Sequence, residues 1–561
     1  MNRRLSFAVL VVSAASACSS GSNIRRFPDA APVLRVDDRR PFAPAPKSFY
    51  SPFIWDGANY TVFRPLSQFW KFETGRQALD VNAIDEVPNS SWFTNRIGAK
   101  PTAPEEVHRG ACADADDEPK LPWTVVGGKP DGANPGFQVK DGRGTRMLVK
   151  VDGVLQPERA TAADVLGALL FHSAGYWVPC NRVVFVRKED MTLEDGAVVK
   201  RTNGSVEPLT QETIDKIMQK ATEVEPGLYR VSVSEFISGK PIGPWRYEGV
   251  RKDDYNDSIP HEERRSNRGM RLLAAWIDHV DTRQENTMLA WIGTSDDGMG
   301  FTRHYRIDFG DALGLIAGPE YVPPRLGHVG YFDLGTMAED FVTLGLIDRP
   351  WHDKKLGKAG LPLGYYRDEP FDFDPWQPGY PNPAFDRADE SDLAWMARIL
   401  ARFTPQHIDA LVDRGRLSNA VVAEELRRIL RVRREKMLER YLSKLSPLTW
   451  PELRKGRLCL QDLMTWTRLR DRASREYEAT LVSEEARRPE ILDVQREEDD
   501  YVCVPLPTSA AGGGSGYVVV DVSSWTEGRD RPGPARVHLR LDGAPRIVGL
   551  ERPSSKGEPR L

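Results

Sequence analysis

The chain has little of what would place it in several common classes. Only 5 of its 561 residues are cysteine and 9 are histidine. No pair of cysteines is spaced as C-x-x-C, so zinc is not indicated. Neither sign of charge dominates: the net charge is -4 and the isoelectric point about 6.2. Nothing in that balance suggests a surface for nucleic acid. No stretch beyond the N-terminus approaches the roughly eighteen apolar residues of a transmembrane helix, and no internal repeat is visible. What remains is the profile of a soluble globular protein, 40% apolar and 28% charged. Its length leaves room for about two to four domains.

The first residues read as a targeting segment. Arg3 and Arg4 are followed by a short apolar stretch, 5–17, which ends in Ala15-Ser16-Ala17 before Cys18. This predicts a signal peptide over 1–17. Cysteine directly after a small-residue cleavage site looks like a bacterial lipobox, although Ala15 stands where leucine is usual. The expectation is lipidation of Cys18 and anchoring to an envelope membrane, inner or outer; ordinary cleavage and release is the alternative. Several acyl chains would hold such a protein stably, where one would not. The twin arginines hint at Tat export, but their flanks fit poorly. Cys112, Cys180, Cys459 and Cys503 remain, and an exported chain can pair them.

Residues 18–48, rich in Pro, Ala and Arg, read as a flexible tether. Residues 49–120 carry Phe53, Trp55, Tyr60, Phe63, Phe69, Trp70, Trp92 and Phe93, an extension expected to pack its rings onto the main body. From 121 to 240 the pattern is strands at 123–126, 136–140 and 146–151, a helix over 161–174 ended by Gly175, then strands at 183–186 and 229–236. Residues 187–228 between the last two read as a helical or irregular insertion. Residues 241–450 turn helical, with Pro260 in a first turn after Asp257 and Ser258 as capping candidates. A hairpin over 287–307 interrupts them, 315–385 show little regular pattern, and 391–445 are helical. Residues 451–561 hold a glycine-rich linker (512–516) and alternating strands at 517–522, 536–541 and 546–550, a small β module.

The most informative stretch is Asp278-His279-Val280-Asp281-Thr282-Arg283-Gln284-Glu285-Asn286, followed across the hairpin by Ile307-Asp308-Phe309-Gly310. It reads as D-x-x-x-x-N, a hairpin, then DFG. About one chain of this length in ten would carry DFG by chance, so the tripeptide alone decides nothing. The upstream Asp-x4-Asn at hairpin distance, and a strand ending at Lys150, give it weight. Phosphoryl transfer from ATP uses an Asp at the acceptor hydroxyl, with an Asn and a second Asp on the magnesium ions.

Together these motifs resemble the protein-kinase-like superfamily, and within it the HipA-type, phosphoinositide and CotH-like branches. Ile307-Asp308-Phe309-Gly310-Asp311-Ala312-Leu313-Gly314 is similar to the IDFGxxLG of phosphoinositide kinases. The likeness covers roughly 121–450. It implies an α+β, bilobal fold with a β-rich first lobe and a mainly helical second. It also implies ATP and Mg (or Mn) as cofactors. Asp281 becomes the catalytic carboxylate, with Asp278 a competitor, and Asn286 and Asp308 the metal ligands. Lys150 would pair the phosphates. Asp164 stands where its helix partner is usually Glu, so the pair is expected strained or water-bridged, with Glu158 as a fallback. Glu235 sits at the hinge, and Gly127 and Gly128 are candidates for a phosphate loop without a full G-x-G-x-x-G. His279 is expected to be structural and hydrogen-bonded. Arg283 is either a phosphate ligand or an exposed arginine. The first functional expectation is an envelope phosphotransferase whose acceptor the sequence does not name. A nucleotide-binding pseudokinase without turnover and a purely structural lipoprotein are the alternatives.

Overall fold

A computed structural model describes residues 26–38, 43–51, 53–69, 76–114, 118–129, 136–200, 205–293, 298–316, 325–352, 355–369, 371–483, 489–507 and 516–554. Cys18 and its leader lie outside the described residues, as do Trp70, Gly132 and most of the glycine-rich linker.

The fold is mixed α+β. Its first sheet is built from β1 (Trp123–Gly128), β2 (Gly136–Lys140), β3 (Arg146–Lys150), β4 (Asn181–Arg187), β5 (Met191–Lys200), β6 (Val206–Pro208), β7 (Thr222–Glu225) and β8 (Leu228–Glu235). The order is β4-β8-β3-β2-β1-β5-β6, with β7 added on β8. Every pairing is antiparallel except β1 with β5. Phe137, Val139, Met147, Val149, Val231 and Val233 alternate onto one face and form a core of their own with Ile214 and Met218. Those two come from helix α2 (Gln211–Met218). The segment 187–228 thus holds strands β5, β6 and β7 besides the helix α2, rather than being only helical or irregular. Its β-branched runs find an open edge at β1, and pairing there satisfies backbone groups that a surface loop would leave to water.

Between β3 and β4 lies helix α1 (Arg159–Ala174), the element that carries Asp164. All but one of its residues are buried, so its sequence shows no polar stripe. Gly175 ends it at φ 136°, where a Cβ would stand 2.3 Å from Phe93 Cζ. A side chain there would be strained and would clash.

The helical half contains α3 (Arg265–Ile277), β9 (Lys240–Gly243), β10 (Thr287–Gly293) and β11 (Met299–Arg306). The three strands form a second sheet, β11-β10-β9, whose β11 edge takes Ala43–Pro44. Pro260 does not open the helix: a 3-10 turn, His261–Glu263, intervenes and α3 starts at Arg265. The carboxylate of Asp257 accepts from His261 Nε2 at 2.6 Å instead of capping. The span 315–385 has one longer helix, α4 (Leu334–Thr343), with no buried residue. Then follow α5 (Glu390–Ala401), α6 (Pro405–Arg414) and α7 (Ala420–Leu442). Together with α1 and α3 they make the largest core, which also takes Trp92 and Phe93 from the N-terminal extension. The other rings of that extension divide: Tyr60 is buried, whereas Trp55 and Phe63 stack on each other half-exposed.

The C-terminal β module is not small. It comprises β12 (Leu448–Arg454), β13 (Arg457–Asp462), β14 (Arg475–Ser483), β15 (Glu490–Leu492), β16 (Gln495–Arg496), β17 (Tyr501–Pro505), β18 (Tyr517–Thr526), β19 (Ala535–Arg540) and β20 (Arg546–Glu551). They form two sheets, β12-β13-β17-β16 and β15-β14-β18-β19-β20. Leu458, Leu460 and Val502 of one share a core with Val520, Val537 and Leu539 of the other, a sandwich arrangement. Cys459 and Cys503 oppose each other on β13 and β17 and are disulfide-bonded; Cys112 pairs with Cys180.

Candidate functional site

A cavity of about 380 Å3 opens between the first sheet and the helical half. Leu148 and Lys150 of β3 and Ser234, Glu235, Phe236 and Ile237 at the end of β8 line one side. Asn286, Met288, Ile307 and Asp308 line the other. The two motif segments meet there because of the hairpin register: Thr287 pairs with Arg306, and Ile307 N donates to Asn286 O at 3.0 Å.

Lys150 is buried, and its Nζ lies 2.9 Å from Asp164 Oδ1 and 3.0 Å from Asp308 Oδ1. The pair with Asp164 is direct, not strained apart or water-bridged. Asp164 Oδ1 also accepts from Phe309 N at 3.2 Å, and Oδ2 from Ser232 Oγ at 3.3 Å. The shorter side chain suffices because α1 packs closely. Gly167, one turn on, faces Phe309 so tightly that a Cβ would fall 2.5 Å from Phe309 Cβ. Glu158 turns elsewhere and accepts from Ser418 N at 2.9 Å. Burial alone would disfavour the ammonium of Lys150, but Asp164 and then Asp308 outweigh it and keep the lysine charged. Asp308 is likewise desolvated, yet Lys150 and Lys129 hold its carboxyl far below the usual carboxylate range. Its backbone has φ 60°, an uncommon conformation that marks many functional positions.

Asp281 behaves oppositely. Desolvation pushes its carboxyl up to about 8 against the pull of Arg283, with Asp311 adding to the rise. Asn286 Nδ2 donates to Asp281 O at 2.7 Å and to Oδ2 at 2.8 Å. Arg283 Nε stands 3.3 Å from Oδ1 as an ion pair without hydrogen-bond geometry, so Oδ1 has no donor among the described residues. Arg283 is not simply exposed: it lines the cavity and lies over the Tyr380 ring. Asp278 caps α3 at φ 54° and accepts from Trp376 Nε1 at 3.0 Å, which removes it as a competitor for the base. His279 is buried against Phe309, its Nδ1 without a hydrogen-bond partner among the described residues and its ring held neutral by desolvation, which lowers it to about 4.

Glu235 reaches the cavity and forms an ion pair with Arg182. Gly127 and Gly128 do not line it. They pack β1 against β5: a Cβ on Gly128 would lie 2.3 Å from Val199 Cγ2, and one on Gly127 3.3 Å from Val198 O. The glycines answer a close strand approach rather than a phosphate. The residue the sequence reading missed is their neighbour Lys129, which lines the cavity with Nζ 3.6 Å from Asp308 Oδ2. Also missed are Tyr50, Ser51 and Asp56 of the extension and Glu285, which complete the rim. Glu285 accepts from Tyr60 OH at 3.2 Å, and burial, followed by the nearby Asp56 charge, raises its carboxyl to about 7. Nothing in the sequence near residue 50 announces that role.

Among the described residues, no three histidine, cysteine or carboxylate side chains converge as a self-sufficient metal site, and no helix is long and apolar enough to cross a membrane. Comparison with known proteins finds no family model, no curated protein and no solved structure that matches the chain.

Proposed function

We propose that this chain is a kinase-like phosphotransferase of the cell envelope, bilobal in plan, dependent on ATP and magnesium or manganese. The single observation that carries this is that Lys150, Asn286 and Asp308 line one cavity while Asp164 and Asp281 are bonded directly behind them, to Lys150 and Asn286. These residues come from four separate segments, and structural ion pairs alone do not require them beside a cavity.

In this reading the nucleoside lies against Leu148, Phe236 and Met288, and Lys150 receives phosphate oxygens. Asp308 and the Asn286 carbonyl oxygen, which points away from the amide nitrogen held by Asp281, supply hard oxygen ligands for the divalent cation. That cation neutralises the phosphate charge; water and phosphate complete its shell. In its ionised form, which a divalent cation held beside it would favour, Asp281 accepts the proton of the acceptor hydroxyl through Oδ1. The disulfides Cys112–Cys180 and Cys459–Cys503 fit an oxidising compartment, in line with export and lipidation at Cys18.

One observation favours the alternative, a nucleotide-binding pseudokinase. Asp308 is already engaged by two lysines, which a cation must displace. Thermal melts with ATP, with and without magnesium or manganese, decide between them. Ligand at a hundredfold its Kd adds about 2.7 kcal/mol to stability. Labelled γ-phosphate transfer that disappears in Asp281→Ala supports the enzyme. A stability gain lost in Asp308→Ala without any transfer supports the pseudokinase. No gain under any condition sinks both.

A further inference from the structure

The reading above assigns one lysine to the phosphates; the cavity holds two. Lys129 is the first residue past β1, and its side chain is only 11% exposed. It reaches the cavity from the first sheet, beside Lys150, while Asp308 lies across from both. The two lysines divide the Asp308 carboxylate. Lys150 holds Oδ1 at 3.0 Å, within hydrogen-bond range, whereas Lys129 stands 3.6 Å from Oδ2, an ion pair beyond it.

What fixes Lys129 over Asp308 is the packing of its neighbours. Gly128 lets β1 approach Val199 of β5 to a distance no Cβ would tolerate, and at Gly127 a Cβ would sit a tight 3.3 Å from the Val198 carbonyl oxygen. The parallel strand β5 thereby clamps the root of the β1–β2 hairpin. A lysine one residue beyond that clamp emerges at a set height above the floor of the cavity. Two flexible ammonium groups aimed at one carboxylate in a cavity form an arrangement built to exchange a partner: compact point charges move readily from a carboxylate to another oxyanion.

We propose, resting on the nucleotide reading above, that Lys129 is a second phosphate-binding lysine, which leaves Asp308 Oδ2 to the divalent cation when a nucleoside triphosphate enters. Its ligand is the terminal part of the polyphosphate, not the nucleoside. Lys129 acts by binding and positioning; it takes no proton in the transfer.

The test uses the full chain and a fluorescent ATP analogue, titrated with magnesium and again with the metal chelated, alongside the corresponding adenosine analogue. Lys129→Met should weaken the triphosphate by about tenfold or more, the loss expected of a charged hydrogen bond, and leave adenosine binding unchanged. Lys129→Arg, which keeps the charge, should stay within about threefold of the wild type, well inside one hydrogen bond's worth. The loss in Lys129→Met should persist without metal, since the ammonium meets phosphate directly. Equal triphosphate affinity for Lys129→Met and wild type overturns the inference and leaves the nucleotide reading standing. An equal loss for adenosine also overturns it, because the lysine then only shapes the cavity. Failure of the wild type to bind any of these ligands overturns the nucleotide reading itself, and this inference with it.

Discussion

Two carboxylates of the candidate site, Asp308 in the cavity wall and Asp281 bonded to the wall residue Asn286, are driven in opposite directions, and the reason lies in their partners. Asp308 has two lysines; Asp281 has a guanidinium out of hydrogen-bond alignment and an amide. Asp281 keeps its proton up to about 8 in the folded chain, against about 3.9 when unfolded. Between those values the folded state holds a proton the unfolded state has lost, so this residue makes stability fall as pH rises through the window. Asp281→Asn removes the titration and keeps an oxygen for Asn286. The variant should therefore melt higher than wild type at pH 8 and at about the same temperature at pH 4. Melting curves across that range check it; a constant offset at both ends would show that the carboxyl is not held protonated. His279 works with the opposite dependence: buried neutral and lowered to about 4, it costs stability as pH falls below its unfolded value near 6.5. The two residues should be separated by comparing single variants.

Helix α1 shows how an element sets a site's dimensions. Its sequence, RATAADVLGALLFHSA, is dominated by small and apolar residues, and the absence of bulk at Gly167 brings the helix onto Phe309. Asp164 can then touch Lys150 and the Phe309 amide at once. A glutamate would be one methylene too long for that gap. Asp164→Glu is expected to displace Lys150 or tilt α1 and, under the proposed nucleotide reading, to weaken ATP binding. Gly167→Ala should do the same through the helix rather than the carboxylate, with overpacking costing about 1–3 kcal/mol. Urea unfolding and ATP titration of both variants measure this. Unchanged affinity in Gly167→Ala would mean that α1 is not what positions Asp164. A second element, β5, lies in the span that reads as a helical or irregular insertion, because a strand that extends the first sheet beyond β1 by pairing with residues far away in the chain has no local signature beyond a weak alternation.

At the scale of the whole molecule, covalent links tie distant parts of the chain. Cys112–Cys180 closes 68 residues and joins the N-terminal extension to the start of β4; Cys459–Cys503 closes 44 within the sandwich. Replacing either pair by serine should cost about 2–5 kcal/mol, read as a lowered urea midpoint. Wild-type protein should yield no reactive thiol from these four cysteines until it is reduced; free thiols at full occupancy would contradict the pairing. A buried network reinforces the same joints. Asp85 of the extension meets Arg265 of α3, Arg398 of α5 and Arg552 beyond the last strand. The three guanidiniums, with Arg265 the strongest, hold its carboxyl far down in spite of its desolvation. Removing Asp85 would take a carboxylate from three buried cations, leaving Arg265 with Asp392 and Arg398 with Glu86, so Asp85→Ala should destabilise the whole chain by about 3–5 kcal/mol, with one cooperative transition shifted rather than a domain lost.

The sequence alone picked out the candidate groups and their order, Lys150 on a strand, Asp164 on a helix and Asp281, Asn286 and Asp308 in a motif flanking a hairpin, because each signal is local and therefore readable. It determined the hairpin that unites two of the segments, since turn residues and alternation lie within one short window. The tertiary structure decided everything that depends on residues far apart in the chain. Distance geometry made Asp164 a direct partner and removed Asp278 and Glu158. A neighbouring strand explained Gly127 and Gly128 and set Lys129 at the cavity. The extension supplied Tyr50, Ser51 and Asp56 from almost a hundred residues away. Such contacts are fixed by how close two elements pack, and packing distance is a property of both surfaces together.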